Sequence, residues 1–186
     1  SMGLQIPAFS ESGIVTIVPS GASVLTVSDV VLSEGEEGVV EISLENEIAI
    51  AGFQFNFVDT PDLLSFIEVS GTERTEAFSI QANELDNEVI TLGFSFTGDV
   101  IAPGTGPIVT ITCQGASQGT ATLNLTDIVL SDATSTTVPA TSEGGTATIT
   151  EQQVYGCTDM GACNYNPEAT EDDGMCDFES CAGCTD

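Results

Sequence analysis

The sequence predicts an all-β protein: an antiparallel β-sandwich followed by a small, disulfide-rich and mostly irregular C-terminal module. Three observations carry this reading. Between residues 24 and 150, short stretches of apolar/polar alternation recur, separated by Gly, Pro, Asp and Asn, which is the pattern of half-buried strands joined by turns. No stretch sustains a helical period over three turns. Five of the six cysteines fall after residue 156, in a segment with almost no core-forming side chains.

The elements follow in chain order. "GIVTIV" (13–18) either adds an edge strand or belongs with the rest of residues 1–23 to an N-terminal extension. "TVSDVVLSE" (26–34) is echoed by "NLTDIVLSD" (124–132), which predicts two equivalent strands at matching sheet positions and not a repeated domain. "VVEISL" (39–44) places Val40, Ile42 and Leu44 on one face. "GFQFNF" (52–57) does the same for Phe53, Phe55 and Phe57, with Gln54 and Asn56 opposite. "VITLGFSF" (89–96) groups Ile90, Leu92, Phe94 and Phe96 as the expected core face, with Thr91, Gly93 and Ser95 turned away. "IVTITC" (108–113) aligns Val109, Ile111 and Cys113, so Cys113 is expected as a buried free thiol acting as a small hydrophobe. "TATLNL" (120–125) and "TATIT" (146–150) complete the set with Ala121, Leu123, Leu125, Ala147 and Ile149. Threonine and β-branched residues dominate, as suits a pleated, half-buried surface. Strands of this number and spacing assemble as a sandwich.

Charge narrows the functional classes. The 186 residues carry 29 acidic side chains, one basic side chain (Arg74) and no histidine, for a formal net charge of −28. Such a surface repels phosphate backbones and anionic head groups, so no nucleic acid or membrane-surface partner is expected; it attracts cations, divalent ones most. No apolar run approaches the roughly 18–20 residues of a membrane span. An enzyme is not expected either: histidine and lysine are absent, and nothing marks a pair of carboxylates for acid–base work.

The clustered cysteines read as a disulfide framework, and hence as an extracellular, oxidising setting. Zinc is the competing reading, but the segment offers one C-x2-C pair, Cys181 and Cys184, and no histidine. The "GCTD" at 156–159 returns 27 residues later at 183–186, a period expected of tandem modules. Residues 151–155 are then a linker, 156–182 one module and 183–186 the start of the next, with neighbouring modules of the same chain as its contacts.

Two resemblances add to this. The run "IAGFQFNFVDTPDLLSFIEV" (50–69), then "LGFSFTG" (92–98), then "GTGPIVTITCQGASQGTATLNLTDIVLSD" (104–132), resembles the cohesin-like domain family over about residues 24–150. The resemblance implies a nine-stranded jelly-roll sandwich that binds a protein partner, a dockerin or another surface protein, through one sheet face. In place of the family's Tyr-Asp-Pro turn this chain has "VDTPDLL" (58–64). The tail, "GCTDMGACNYNPEATEDDGMC" (156–176) and onward, resembles Cys-rich repeats of large secreted proteins, common in marine bacteria and loosely similar to thrombospondin type 3 calcium repeats. That likeness implies the pairs Cys157–Cys176 and Cys163–Cys181, among the many that six cysteines allow.

Calcium is the cofactor these readings point to. Asp159, Asn164, Asn166, Asp172 and Asp173 are the candidate ligands, because calcium takes six to eight hard oxygens from carboxylates, amides and carbonyls. The competing reading is a disulfide knot with solvated acids. On the sandwich, Asp59 with Asp62, or Asp86 and Asn87 with Glu88, read as turn residues bonding their own backbone. A glycan ligand needs exposed aromatics or a calcium bridge; tryptophan is absent, and only Phe78 and Phe178 stand out as phenylalanines to expect outside the core. The sequence therefore predicts a non-catalytic interaction or adhesion module of a secreted or cell-surface protein with a calcium- and disulfide-stabilised spacer. A calcium-dependent carbohydrate-binding module and a purely structural stalk are the alternatives.

Overall fold

The computed structural model describes residues 22–85 and 87–180. The expected strand in 13–18, the acidic position Asp86, the second "GCTD", and the pairing Cys163–Cys181 through its Cys181 partner all lie outside the described residues.

The alternation forms two packed sheets, as its period demands. One sheet has five strands in the order β11–β1–β3–β8–β5: β1 (Ser23–Val27), β3 (Glu37–Asn46), β5 (Leu64–Gly71), β8 (Gly104–Gly115) and β11 (Ala140–Glu143). The other has seven, built on the order β2–β12–β9–β4–β7–β6: β2 (Val30–Ser33), β4 (Gly52–Thr60), β6 (Ser79–Leu85), β7 (Glu88–Phe94), β9 (Gly119–Ser131) and β12 (Gly145–Thr150), with β10 (Thr137–Val138) paired to β9. A two-stranded pair, β13 (Tyr155–Gly156) and β14 (Glu171–Asp172), organises the tail. This is an all-β jelly-roll sandwich with a small disulfide-bonded appendage.

The sandwich is closed by two strand pairs that change sheets together. β1 runs parallel to β11 in the first sheet, and their continuations β2 and β12 run parallel in the second. Both crossings meet at one place: a Cβ on Gly145 would lie 2.6 Å from the Ser28 carbonyl oxygen and 2.7 Å from that of Val27. Glycine is required there because two backbones touch. Asp29 fastens the crossing by accepting the Thr146 N–H at 2.8 Å, and Ser28 Oγ accepts the Glu41 N–H at 2.9 Å.

This geometry corrects the reading of the internal echo. "TVSDVVLSE" is split between the two sheets at Ser28–Asp29, whereas "NLTDIVLSD" lies within the single strand β9. The two copies do not occupy matching sheet positions. What they share is an aspartate where regular strand geometry breaks, Asp29 at the crossing and Asp127 at a left-handed bulge position (φ 50°).

The core is the space between the sheets. Phe53, Phe55 and Phe57 from β4 meet Leu25, Ile42, Leu44, Ile111, Leu123 and Leu130, all buried. Full burial of side chains of this size contributes about 1.5–3 kcal/mol each. Arg74, in the 3-10 turn Glu73–Thr75, staples the far end of β3 to β8. Its guanidinium donates to the carbonyl oxygens of Leu44 (2.6 Å), Gly106 (3.0 Å) and Ala102 (2.9 Å) and to Asn46 Oδ1 (2.7 Å).

Candidate functional site

The sense of strand β7 decides which surface is available for binding. Register pairs Phe53 with Gly93, Phe55 with Thr91 and Phe57 with Val89, and residues paired across strands share a face. Val89, Thr91 and Gly93 therefore point into the core, and Ile90, Leu92 and Phe94 point outward. This reverses the expectation for "VITLGFSF". The cause is volume: a Cβ on Gly93 would lie 2.2 Å from the Phe53 ring, so three phenylalanines on β4 leave room only for small side chains opposite. The Thr91 hydroxyl is buried with no hydrogen-bond partner, at a cost of about 1–3 kcal/mol.

The outer face of the seven-stranded sheet consequently carries an apolar stripe along β7, flanked by Gln54 and Asn56 of β4 and by Gln81 and Asn83 of β6. Leu92, Leu85 and Val129 are exposed there, beside Ile90 and Phe94. Just past β7, Phe96 is 82% exposed and packs edge-on against Phe94 with ring centroids 4.8 Å apart. Its loop is fastened by Asp99, whose carboxylate accepts the Thr97 and Ser95 hydroxyls; the Thr97 hydroxyl, then that of Ser95, hold the acid below its usual range. The phenylalanines expected outside the core are thus partly reassigned: Phe178 is exposed, Phe78 packs against the core stacked on Phe53, and Phe96 is the prominent exposed ring of the sandwich.

The outer face of the five-stranded sheet differs in chemistry. It presents Glu37, Glu41 and Glu45 from β3, Thr110, Thr112 and Gln114 from β8, and Glu68 from β5, with Val39 and Ile67 as scattered apolar residues. Acids and hydroxyls hold water, so this face has little to gain from being covered.

A buried polar group lies beside this stripe. Asn56 is 8% exposed and its Nδ2 donates to Glu88 Oε2 at 2.8 Å and to Asp127 Oδ2 at 3.2 Å. Asp127 reaches it because β9 bulges against β4 between Gln54 and Asn56 and takes a left-handed backbone there. Two carboxylates are thereby fixed next to the β7 stripe.

The turn acids and the thiol have structural work. Asp59 Oδ2 accepts the N–H groups of Leu63 (2.6 Å) and Leu64 (2.9 Å), holding the turn after β4, and burial raises its pKa. Asn87 takes a left-handed conformation (φ 66°) in the β6–β7 connection, and Glu88 is spent on Asn56. Cys113 is a buried free thiol, pushed up to about 11 by burial and by the Asp59 charge.

The tail is stapled by Cys157–Cys176, with Cα atoms 4.9 Å apart. It reaches back to Val154, whose carbonyl accepts the Thr170 N–H at 2.8 Å, so the last linker residues belong to its fold. Each candidate calcium ligand is engaged locally. Asp159 Oδ1 accepts Gly161 N–H and Asp172 Oδ1 accepts Gly174 N–H, both at 2.8 Å. Asp173 Oδ1 accepts Met175 N–H at 2.9 Å, and Asn166 Oδ1 accepts Glu168 N–H at 3.1 Å. Asn164 bridges the module, donating to the Met175 carbonyl and accepting from Asp177 N–H, each at 2.8 Å. Among the described residues no three His, Cys, Asp or Glu side chains converge on a point that could hold a metal ion. The donor chemistry suits calcium; four of the five side chains cap their own turns, and Asn164 ties two segments of the module together.

No protein-family model matches this sequence, and no curated protein is similar enough to match it. Solved structures do share its fold. A non-cellulosomal cohesin from Archaeoglobus fulgidus superposes with a TM-score of 0.61 at 17% identity, covering 70% of this chain and 93% of that one. The cohesin–dockerin type I complexes of Clostridium thermocellum contain two further likenesses. One has a TM-score of 0.62 at 12% identity, covering 74% of this chain and 99% of the other; the second has 0.60 at 19%, covering 69% and 99%. The sandwich has the cohesin fold.

Proposed function

We propose that this chain is a non-catalytic protein-interaction module and that the outer face of the seven-stranded sheet is where its partner docks. One observation carries the reading: β7 turns Ile90, Leu92 and Phe94 to solvent and takes a threonine and a glycine into the core. That choice costs stability, and covering the exposed side chains with a partner recovers it. The polar group at Asn56, Glu88 and Asp127 sits where it would set register within an apolar contact. Neighbours of the same fold are found in complex with dockerins, which makes a dockerin-like or other secreted protein the partner to test first.

We further propose that the module belongs to a secreted or cell-surface protein and that the tail is its calcium- and disulfide-stabilised spacer. Close cysteines and a segment too small for a core support the first part. Oxygen donor type and the repeat resemblance support calcium. The test is a calorimetric melt under non-reducing conditions, in excess calcium and again in chelator. A shift of a small tail transition alone supports the spacer; no shift of any transition overturns calcium and leaves the disulfide.

A carbohydrate reading has one observation in its favour, the exposed Phe96 ring held on Phe94. A glycan array bound by the chain, with binding abolished by Phe96→Ser, would favour it over a protein partner.

A further inference from the structure

The free edge of β6 differs from the other sheet edges. β2 and β11 are four residues long, and β11 carries Glu143. β5 is broken by a bulge between Phe66 and Glu68. These are the usual protections of an exposed edge. β6 keeps only a charge, Glu84: it is seven residues long, "SIQANEL", in unbroken register with β7 and without proline. Among the described residues it pairs with β7 alone.

The hairpin fixes which backbone groups are free. Leu85 pairs with Glu88 across the connection at 86–87, and Asn83, Gln81 and Ser79 follow at every second residue opposite Ile90, Leu92 and Phe94. In an antiparallel pair closed by a two-residue turn these are the bonded pairs. The N–H and C=O groups of Ile80, Ala82 and Glu84 therefore point away from the sheet.

We propose that β6 pairs with β6 of a second copy of this chain, antiparallel, about a two-fold axis at Ala82. This register brings the free groups into opposition: Ile80 against Glu84, Ala82 against Ala82, Glu84 against Ile80. The three facing pairs supply six backbone hydrogen bonds. Charge selects the same register. Each Glu84 lies opposite an isoleucine, and the two glutamates sit about 14 Å apart along the strands, four residues at about 3.4 Å each. That exceeds the ~8 Å screening length at physiological salt. A register centred on Glu84 would oppose like charges directly. On the outer face the amides of Gln81 and Asn83 meet. The dimer joins two seven-stranded sheets edge to edge and sets two copies of the β7 stripe on the same outer surface. The inference stands on the edge itself and not on what docks on that face.

The charge of −28 on each copy makes association salt-dependent. Sedimentation of the full chain should show monomers at low salt and a growing dimer fraction in about 0.5 M NaCl, where the screening length falls below about 5 Å. Ala82→Pro removes one free N–H without touching the ladder to β7. It should weaken the dimer about tenfold or more with the thermal melt preserved. Amide exchange gives a second readout on the wild type, with Ile80, Ala82 and Glu84 slowing only in the concentrated, high-salt sample. A monomer under every condition overturns the proposal, and so does a dimer in which those three amides stay unprotected. Protection by an added extended peptide without self-association would assign the edge to a foreign strand and overturn the second-copy reading.

Discussion

The ring of Phe53 occupies the space that a Cβ on Gly93 would fill, with 2.2 Å between them. This contact is why the sandwich has an apolar stripe on its outer face: because β4 supplies the bulk, β7 must supply the gap, and the large side chains of β7 go to solvent.

Gly93→Ala should be destabilising by about 1–3 kcal/mol, the usual cost of inserting a carbon into a filled core. Chemical denaturation of Gly93→Ala, Phe53→Leu and the pair checks it. The account expects the double variant to be more stable than the sum of the single losses, because the smaller side chain makes room for the added methyl. Strict additivity would show that the two positions do not compete for space.

Arg74 should be worth more than its surface position suggests, since its four acceptors are three backbone carbonyls and an amide oxygen, with no carboxylate among them. Arg74→Ala is expected to cost about 2–3 kcal/mol from lost charge-assisted bonds. Arg74→Lys should recover little, because an ammonium cannot span acceptors on three segments as the guanidinium fork does. Full rescue by lysine would argue that only the charge matters.

Asp59 makes stability depend on pH in the direction opposite to a paired surface acid. Burial raises its folded pKa, so its contribution is greatest below the ordinary value of 3.8 and is lost as pH rises through the raised one. Asp59→Asn keeps an acceptor for the Leu63 and Leu64 amides and carries no charge. The stability difference should move in favour of the asparagine variant as pH rises from acid to neutral. Asp59→Ala should cost about 2–4 kcal/mol at acid pH, since two buried amides lose their acceptor, and the cost should fall as pH rises, in step with the asparagine comparison. A wild-type-minus-Asn difference that does not vary with pH would contradict this.

The Cys157–Cys176 disulfide should matter to the tail and not to the sandwich. Closing a loop of 19 residues contributes about 3 kcal/mol. Cys176→Ser is expected to release protection of the Thr170 and Asn166 amides in hydrogen exchange while the sandwich melt stays in place. A matching fall in the main transition would mean that the sandwich leans on the tail.

These cases show what the sequence made legible. Alternation located the strands because a half-buried strand must alternate, and the all-β class followed. "GFQFNF" read correctly, since no arrangement leaves three phenylalanines outside. "VITLGFSF" read in the wrong sense because alternation has two phases, and hydrophobicity favours the one that buries Leu92 and Phe94. The signal for the other phase was present in Gly93 and Thr91, but only a strand known to lie beside Phe53 explains why they must face inward. The group at Asn56 was illegible for a related reason: Glu88 and Asp127 are 39 residues apart and meet through a bulge that nothing local announces.

The central claim is that the outer face of the seven-stranded sheet is a protein-docking surface. The measurement that tests it most directly is a calorimetric titration of dockerin modules into the wild type, into Leu92→Glu with Phe96→Ser, and into Thr112→Glu on the opposite face. The account predicts saturable binding to the wild type, at least about a tenfold loss in the Leu92 and Phe96 variant with its melt unchanged, and full binding to the Thr112 variant. Binding that survives the first pair of substitutions and is lost in the Thr112 variant would place the docking surface on the other sheet and contradict the claim.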